Sequence, residues 1–188
     1  IHTFFREDCQ FGYRESVFKK ELKGKYVITS VTFRLNKTPE FNTSYGAIQD
    51  TLDEMGIAEL SIKAVSDAVI QIRQSKLPDP KQIGNAGSFF KNPTVDKLDY
   101  EGLRAEFPSI PGYQLPENKV KIPAAWLIEN TGWKGKTFGS IGVHKNQPLV
   151  LVNYGGGEGV KIKDLAFEIK DSVASKFGIE LTPEVNII

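Results

Sequence analysis

Apolar positions along this chain change their period several times, and each change marks an element. Residues 25–35 alternate, with Val27, Val31, Phe33 and Leu35 on one face and Ser30, Thr32 and Arg34 on the other. A period of two with one apolar face predicts a half-buried, antiparallel strand. Over 36–60 the pattern breaks down at Pro39 and at Asn42-Thr43-Ser44-Tyr45-Gly46, so this stretch reads as a connection that presents Tyr45. From the capping residue Ser61 onward, Val65, Ala68, Val69 and Ile72 fall at i, i+3, i+4 and i+7. That stripe predicts a helix to about Ser75. Pro78 and Pro80 stop it, because proline has no N–H to give the helix. The stiff connector Lys76-Leu77-Pro78-Asp79-Pro80-Lys81 is the predicted domain boundary.

Beyond a glycine-bearing loop at Gly84–Pro93, residues 96–106 read as a helix with Leu103 and Phe107 turned inward. The stretch 108–121 is proline-rich and loop-like. Pro123 suits the first turn of a short helix over 123–130, and Gly132 suits its C-terminal cap. Strands are predicted over 137–143 and 148–154, joined by a turn at His144–Pro148. Leu165, Ala166, Ile169 and Val173 give helical spacing from Lys163 to Phe177, ended by Gly178, and 180–188 reads as a last strand. Helices and strands are mixed without a regular βαβα alternation, which makes the expected fold class α+β.

Composition narrows the options. The chain has 188 residues, 40 % hydrophobic and 25 % charged, enough for a real core. A formal net charge of +1 gives no electrostatic case for a nucleic-acid partner. The one cysteine, Cys9, allows no intramolecular disulfide and points to a reducing compartment, the cytoplasm. No apolar run approaches the ~20 residues that cross a bilayer, so no membrane partner is expected. His2, His144 and Cys9 make no metal-ligand spacing. The chain opens at Ile1, without methionine and inside a segment that reads as extended and half-buried, so it is expected to be a piece of a longer protein. A strand stripped of its neighbours would leave an edge free to pair with another copy.

The chemistry concentrates in Gly84-Asn85-Ala86-Gly87-Ser88-Phe89-Phe90-Lys91-Asn92-Pro93. Glycine lets a backbone take positive φ and approach a ligand closely. Successive amides in such a turn can line an anion or carbonyl site. Ser88 sits at the apex, followed by a charge at Lys91 and an amide at Asn92. On residue type alone the ordinary readings win: Ser88 as a turn serine, Arg14 as an exposed ion-pair partner and Glu184 as a solvated carboxylate.

Several stretches in order resemble the UDP-N-acetylenolpyruvoylglucosamine reductase (MurB) family of flavoenzymes: Tyr13-Arg14-Glu15-Ser16-Val17-Phe18-Lys19, Lys76 to Lys81, Gly84 to Pro93, and Pro183-Glu184-Val185. Ala124-Ala125-Trp126-Leu127-Ile128 with Gly132 is similar to the family too, and Tyr45 in a Tyr-Gly turn resembles its type I subclass. The resemblance covers the later part of the enzyme. The family's Gly-Gly-Gly-Ser-Asn-like loop for the FAD pyrophosphate has no counterpart, and Gly155-Gly156-Gly157 reads as a turn. Residues 1–77, with 179–188, are thus expected to be the remainder of an FAD-binding region, and 78–178 a UDP-sugar-binding domain.

The resemblance implies FAD and NADPH as cofactors and UDP-N-acetylenolpyruvoylglucosamine as substrate, reduced to UDP-N-acetylmuramate for peptidoglycan. Hydride goes to C3 of the enolpyruvyl ether and a proton to C2. It implies Ser88 as the proton donor, Arg14 as the stabiliser of the developing enolate, and Glu184 as the acid at the enol oxygen. A guanidinium suits that task because its donors form a planar fork. Tyr45, Lys76, Asn92, Tyr113 and Lys121 match residues that bind the UDP-sugar, and Gln147 falls in the same pocket. Asn186 stands where some relatives carry arginine. The isolated chain is expected not to retain FAD and to be inactive alone. Two other readings stay open: a UDP-sugar-binding module without catalysis, and another flavoprotein oxidoreductase of the same superfamily.

Overall fold

The computed structural model describes residues 1–44 and 46–187. The chain forms two units, Ile1–Glu40 and Phe41–Ile188. In the first, aromatic rings stand edge to face: Phe4 packs on Phe18 at 5.0 Å and on Tyr26 at 5.1 Å between centroids. A 3-10 turn at Val17–Lys19 buries Val17, whose N–H reaches the Cys9 carbonyl at 2.9 Å. The strand expected over 25–35 does not form. The segment makes no ladder among the described residues, and Val27, Val31, Phe33 and Leu35 are all exposed. Alternation assigns side chains to faces; only a neighbouring strand can complete the hydrogen bonds.

In the second unit, helix α1 (Ile48–Glu54) lies inside the stretch expected to be irregular. Ile48, Thr51, Leu52 and Met55 repeat at helical spacing, and Leu52 is fully buried against α2 (Ile62–Lys76). Ser61 caps α2, its hydroxyl accepting the Ala64 N–H at 3.1 Å.

The main core is built on two antiparallel sheets and one long helix. Strand β1 (Gly84–Ser88) begins inside the motif expected to be a loop. Strand β2 (Thr94–Asp96) leads into α3 (Lys97–Glu106). The proline-rich stretch hides a hairpin, β3 (Tyr113–Leu115) and β4 (Lys119–Lys121). Its turn holds Glu117 at φ 59° and Asn118 at φ 55°, the type I′ geometry that matches strand twist. Helix α4 (Ala124–Asn130) follows Pro123. The span expected as one strand splits into β5 (Thr137–Phe138) and β6 (Ile141–Val143), and β7 (Val150–Asn153) returns after the expected turn. One sheet has the order β1-β7-β6-β5 and the other β2-β4-β3.

Helix α5 (Gly159–Phe177) starts a turn earlier than its apolar stripe, because its first turn is solvated. Leu165, Ala166, Ile169, Val173 and Phe177 pack against Ile141, Val143, Leu151, Phe89 and Phe90. Gly178, at φ 66°, closes it with a bond to the Ala174 carbonyl at 2.8 Å. The last expected strand is reduced to one bridge, Phe90 with Pro183, since Pro183 has no N–H for a ladder. Ile179 and Leu181 just before it are buried in the core. The mixed helices and antiparallel sheets are an α+β fold.

Candidate active site

Ser88 stands at a β-bulge. Asn85 pairs with Val152 and Ser88 with Val150, so Ala86 and Gly87 oppose Leu151 alone. The extra residue is accommodated at Gly87, whose φ is +72°. A glycine in the left-handed region at such a bulge re-aims the next side chain. Lateral partners in an antiparallel sheet share a face. Ser88 therefore shares the face of Val150, Val152 and Asn85, while Phe89 enters the core with Leu151 and α5. Asn85 shapes the bulge: its Oδ1 accepts the Gly87 N–H at 3.0 Å, and its Nδ2 donates to the Ile83 carbonyl at 2.8 Å.

Beyond Ser88 the chain is tied to the C-terminal segment. Lys91 N–H reaches the Thr182 carbonyl at 2.9 Å, and Glu184 N–H reaches the Phe89 carbonyl at 2.8 Å. The residue bonded to Glu184 is thus the one that follows Ser88. Glu184 is half-buried, as is Ser88, so these two are brought into one neighbourhood.

The second sheet continues from the same segment. Ile122 N–H donates to the Pro93 carbonyl at 2.9 Å, and Asn92 Oδ1 accepts the Ala124 N–H at 2.9 Å, giving α4 its first-turn partner. Tyr113 and Lys121 are direct cross-strand partners, with the Lys121 ammonium 5.7 Å from the Tyr113 ring centre. Tyr113 is 58 % exposed. Asn92, Tyr113 and Lys121 are therefore gathered at one end of this sheet. Lys119, two residues before Lys121, is committed elsewhere: its Nζ lies 2.9 Å from Asp96 Oδ1, and that hydrogen bond and charge raise its pKa.

Lys76 is exposed in the last turn of α2, and Asn85 Nδ2 lies 3.5 Å from the carbonyl of Pro78, two residues on. Gln147 sits half-buried in the β6–β7 turn, its Oε1 3.4 Å from the Leu149 N–H. Arg14 belongs to the other unit. It occupies the turn Gly12–Glu15 with φ 58°, and its carbonyl accepts from Lys19 Nζ at 3.0 Å. A non-glycine residue in that region carries strain, which functional sites often hold. Tyr45 lies outside the described residues.

Sequence reasoning passed over His144. Its N–H donates to the Val150 carbonyl at 2.9 Å, on the side of Val150 away from Ser88. Ser88, Val150 and His144 thus form one lateral row, its ends about 10 Å apart across two strand spacings. His144 is only 8 % exposed, and its Nδ1 has no hydrogen-bond partner among the described residues. Burial, with the neighbouring Lys145 charge, holds the imidazole below its ordinary range. The sequence placed this position in a turn, and an isolated histidine gives no signal of its own.

Gly155-Gly156-Gly157 forms a closed turn. Asn153 Oδ1 accepts from Gly155 N–H at 3.0 Å and from Gly157 N–H at 3.1 Å, and its Nδ2 donates to the Gly157 carbonyl at 2.8 Å. With those amides already engaged, this turn does not fit a flavin pyrophosphate.

The model of the UDP-N-acetylenolpyruvoylglucosamine reductase C-terminal domain matches residues 79–188, more than half of the chain. The chain belongs to this family. Among proteins named UDP-N-acetylenolpyruvoylglucosamine reductase, that of Amoebophilus asiaticus is 56 % identical over 188 residues, covering 100 % of this chain and 56 % of the relative. That of Flavobacterium johnsoniae is 52 % identical over 187 residues, 99 % of this chain and 56 % of the relative. That of Pseudomonas aeruginosa is 44 % identical over 187 residues, 100 % of this chain and 55 % of the relative. The chain spans about half the length of these relatives. The reductase C-terminal domain thus accounts for the segment holding Ser88, Asn92, Tyr113, Lys121, Gln147 and Glu184. Among the described residues, no helix is long and apolar enough to cross a membrane.

Proposed function

We propose that this chain is the substrate-handling part of a UDP-N-acetylenolpyruvoylglucosamine reductase acting in peptidoglycan synthesis in the cytoplasm. The observation that carries the reading is Ser88 on a glycine bulge, with Glu184 bonded through its main chain to the next residue, in a member of that family. The overall reaction is the reduction of the enolpyruvyl double bond: hydride adds at C3, a proton adds at C2, and NADPH is oxidised to NADP⁺, with FAD as the hydride carrier in the complete protein. On this reading Ser88 holds the proton for C2, and a serine does so only when positioned within hydrogen-bond reach of the carbon's open face. Glu184 stands at the enol oxygen, and Arg14 offers its planar fork to the carboxylate. Lys76 and Lys121 offset diphosphate charge, Tyr113, Asn92 and Gln147 hydrogen-bond the UDP-sugar, and Tyr45 covers it. Asn92 keeps the two donors of its amide N–H₂ for this, while its oxygen already accepts the Ala124 N–H. Residues 78–178 are the UDP-sugar domain on this reading.

Substitution of Ser88 by alanine in the full-length protein tests this reading. Reoxidation of reduced flavin by the enolpyruvyl UDP-sugar is expected to slow by about 10²–10⁴-fold, the range of a lost general acid. Flavin reduction by NADPH is expected to stay within about twofold of wild type. Equal loss in both half-reactions removes Ser88 from the proton-donor role. A second reading is favoured by the closed triple-glycine turn: these 188 residues in isolation are a UDP-sugar binder without turnover.

A further inference from the structure

Asn85 lies three residues before Ser88, and neither the motif chemistry nor the proposed substrate contacts uses it. We infer that Asn85 is a positioning residue for Ser88 in proton transfer, an inference that rests on the reading above. Both of its polar side-chain atoms are engaged with main chain. Oδ1 accepts the Gly87 N–H at 3.0 Å, Nδ2 donates to the Ile83 carbonyl at 2.8 Å, and Nδ2 also lies 3.5 Å from the Pro78 carbonyl, a much weaker contact. One half-buried amide therefore braces residues 83, 85 and 87 across the start of β1.

The geometry explains why a brace is needed there. Gly87 is the residue that adopts positive φ, and its N–H lies within the bulge, where the ladder to β7 skips a residue. A glycine has many conformations available, so the bulge is held only if something selects one of them. The Asn85 oxygen does this through a bond two residues on, a turn geometry that asparagine favours. Ile83 in turn closes the connector, its N–H reaching the Asp79 carbonyl at 2.9 Å, while Lys81 N–H reaches Asp79 Oδ1 at 2.9 Å. The connector carrying Lys76 and the bulge carrying Ser88 are thus fastened to each other through one side chain. With its polar atoms turned to the main chain, Asn85 acts on chemistry through Ser88 and not by touching substrate.

The test uses the full-length protein with bound flavin, its two half-reactions followed by stopped flow. Asn85→Ala is expected to slow flavin reoxidation by the enolpyruvyl UDP-sugar about 10–100-fold, the cost of roughly 1 Å of misplacement. NADPH reduction of the flavin and the dissociation constant for the UDP-sugar should stay within about threefold. The double variant Asn85→Ala with Ser88→Ala is expected to be no slower than Ser88→Ala alone. Asn85→Asp, which keeps an oxygen for Gly87 N–H but sets its second oxygen against the Ile83 carbonyl, is expected to recover part of the loss. Where Asn85→Ala does not fold, Asn85→Gln supplies the same cycle, since one extra methylene carries the amide oxygen off Gly87. Equal loss in both half-reactions, multiplicative slowing in the double variant, or an Asn85→Asp protein no better than Asn85→Ala would each overturn the inference. The two levels separate cleanly. If Ser88→Ala leaves reoxidation unchanged, the functional reading falls and this inference with it. If Ser88→Ala is slow but Asn85→Ala is not, only the role of Asn85 falls.

Discussion

Gly87 carries the conformational demand of the candidate site. At φ +72° its Cβ position is open, with no heavy atom within 4 Å, so alanine there meets no clash. The cost is in the backbone alone, about 1–2 kcal/mol for an L-residue held in the left-handed region. Gly87→Ala is expected to lower unfolding free energy by that amount in a urea titration, and to slow the Ser88-dependent half-reaction further than this loss of stability explains. His144 makes the second residue-scale prediction. Its pKa is depressed from the ordinary 6.5, chiefly by burial and then by Lys145. Once unfolded, the imidazole takes a proton near pH 6.5, while the folded imidazole stays neutral until lower pH. The unfolded state thus binds more protons in that window, and stability falls as pH drops below the unfolded value, levelling off below the folded one. Comparing unfolding midpoints near pH 7.5 and about 5.5 should give a larger drop for wild type than for His144→Gln. The stretch around Ser88 stood out in the sequence through its resemblance to the family, since glycine, serine and an amide at close spacing by themselves also make an ordinary turn. The demand at Gly87 could not, since nothing in one dimension says which of two glycines takes positive φ.

At the scale of elements, β4 separates two lysines of different use. Lys119 is paired with Asp96 at 2.9 Å, while Lys121 stacks on Tyr113 at the end of the sheet nearest Asn92. Lys121→Ala is expected to weaken UDP-sugar binding about tenfold, or 1.4 kcal/mol, in calorimetry. Lys119→Ala should leave the affinity within about twofold. An equal effect of both would mean that the lysines act only through general charge. Elements with a cap and a stripe were legible: Ser61 with Val65 and Ala68 for α2, Pro123 for α4, and Leu165 to Phe177 with Gly178 for α5. Two kinds were not. The β3–β4 hairpin is short, and its turn uses Glu117-Asn118 among prolines that suggest a loop. α1 holds only seven residues, and its stripe was masked by the turn signals before it. The segment 25–35 failed in the opposite sense. Its pattern is a good strand pattern, yet no described strand pairs with it.

For the molecule as a whole, the main core and the proposed contacts Ser88, Asn92, Tyr113, Lys121, Gln147 and Glu184 lie in the part that matches the family's C-terminal domain, while Lys76 precedes that part and Arg14 stands in a separate unit. Titrating the isolated chain with the enolpyruvyl UDP-sugar, without FAD and with uridine as control, is expected to show saturable binding that prefers the diphosphate sugar, and no NADPH oxidation. Flavin retained stoichiometrically through gel filtration would contradict the second part. No binding by a folded chain would contradict the first. What the sequence alone determined is the family, the α+β class and the helices α2 to α5, because these depend on local spacing, caps and residue types quoted in order. Only the tertiary structure decided that Ser88 sits on a bulge, that Glu184 is fastened to the residue after it, and that His144 is buried in the same row. The first two rest on pairings between segments far apart in the chain, the Glu184 N–H with the Phe89 carbonyl and Ser88 opposite Val150, and the third on the closure of the β6–β7 turn. Such pairings are settled by register and closure of the core, which no local pattern encodes.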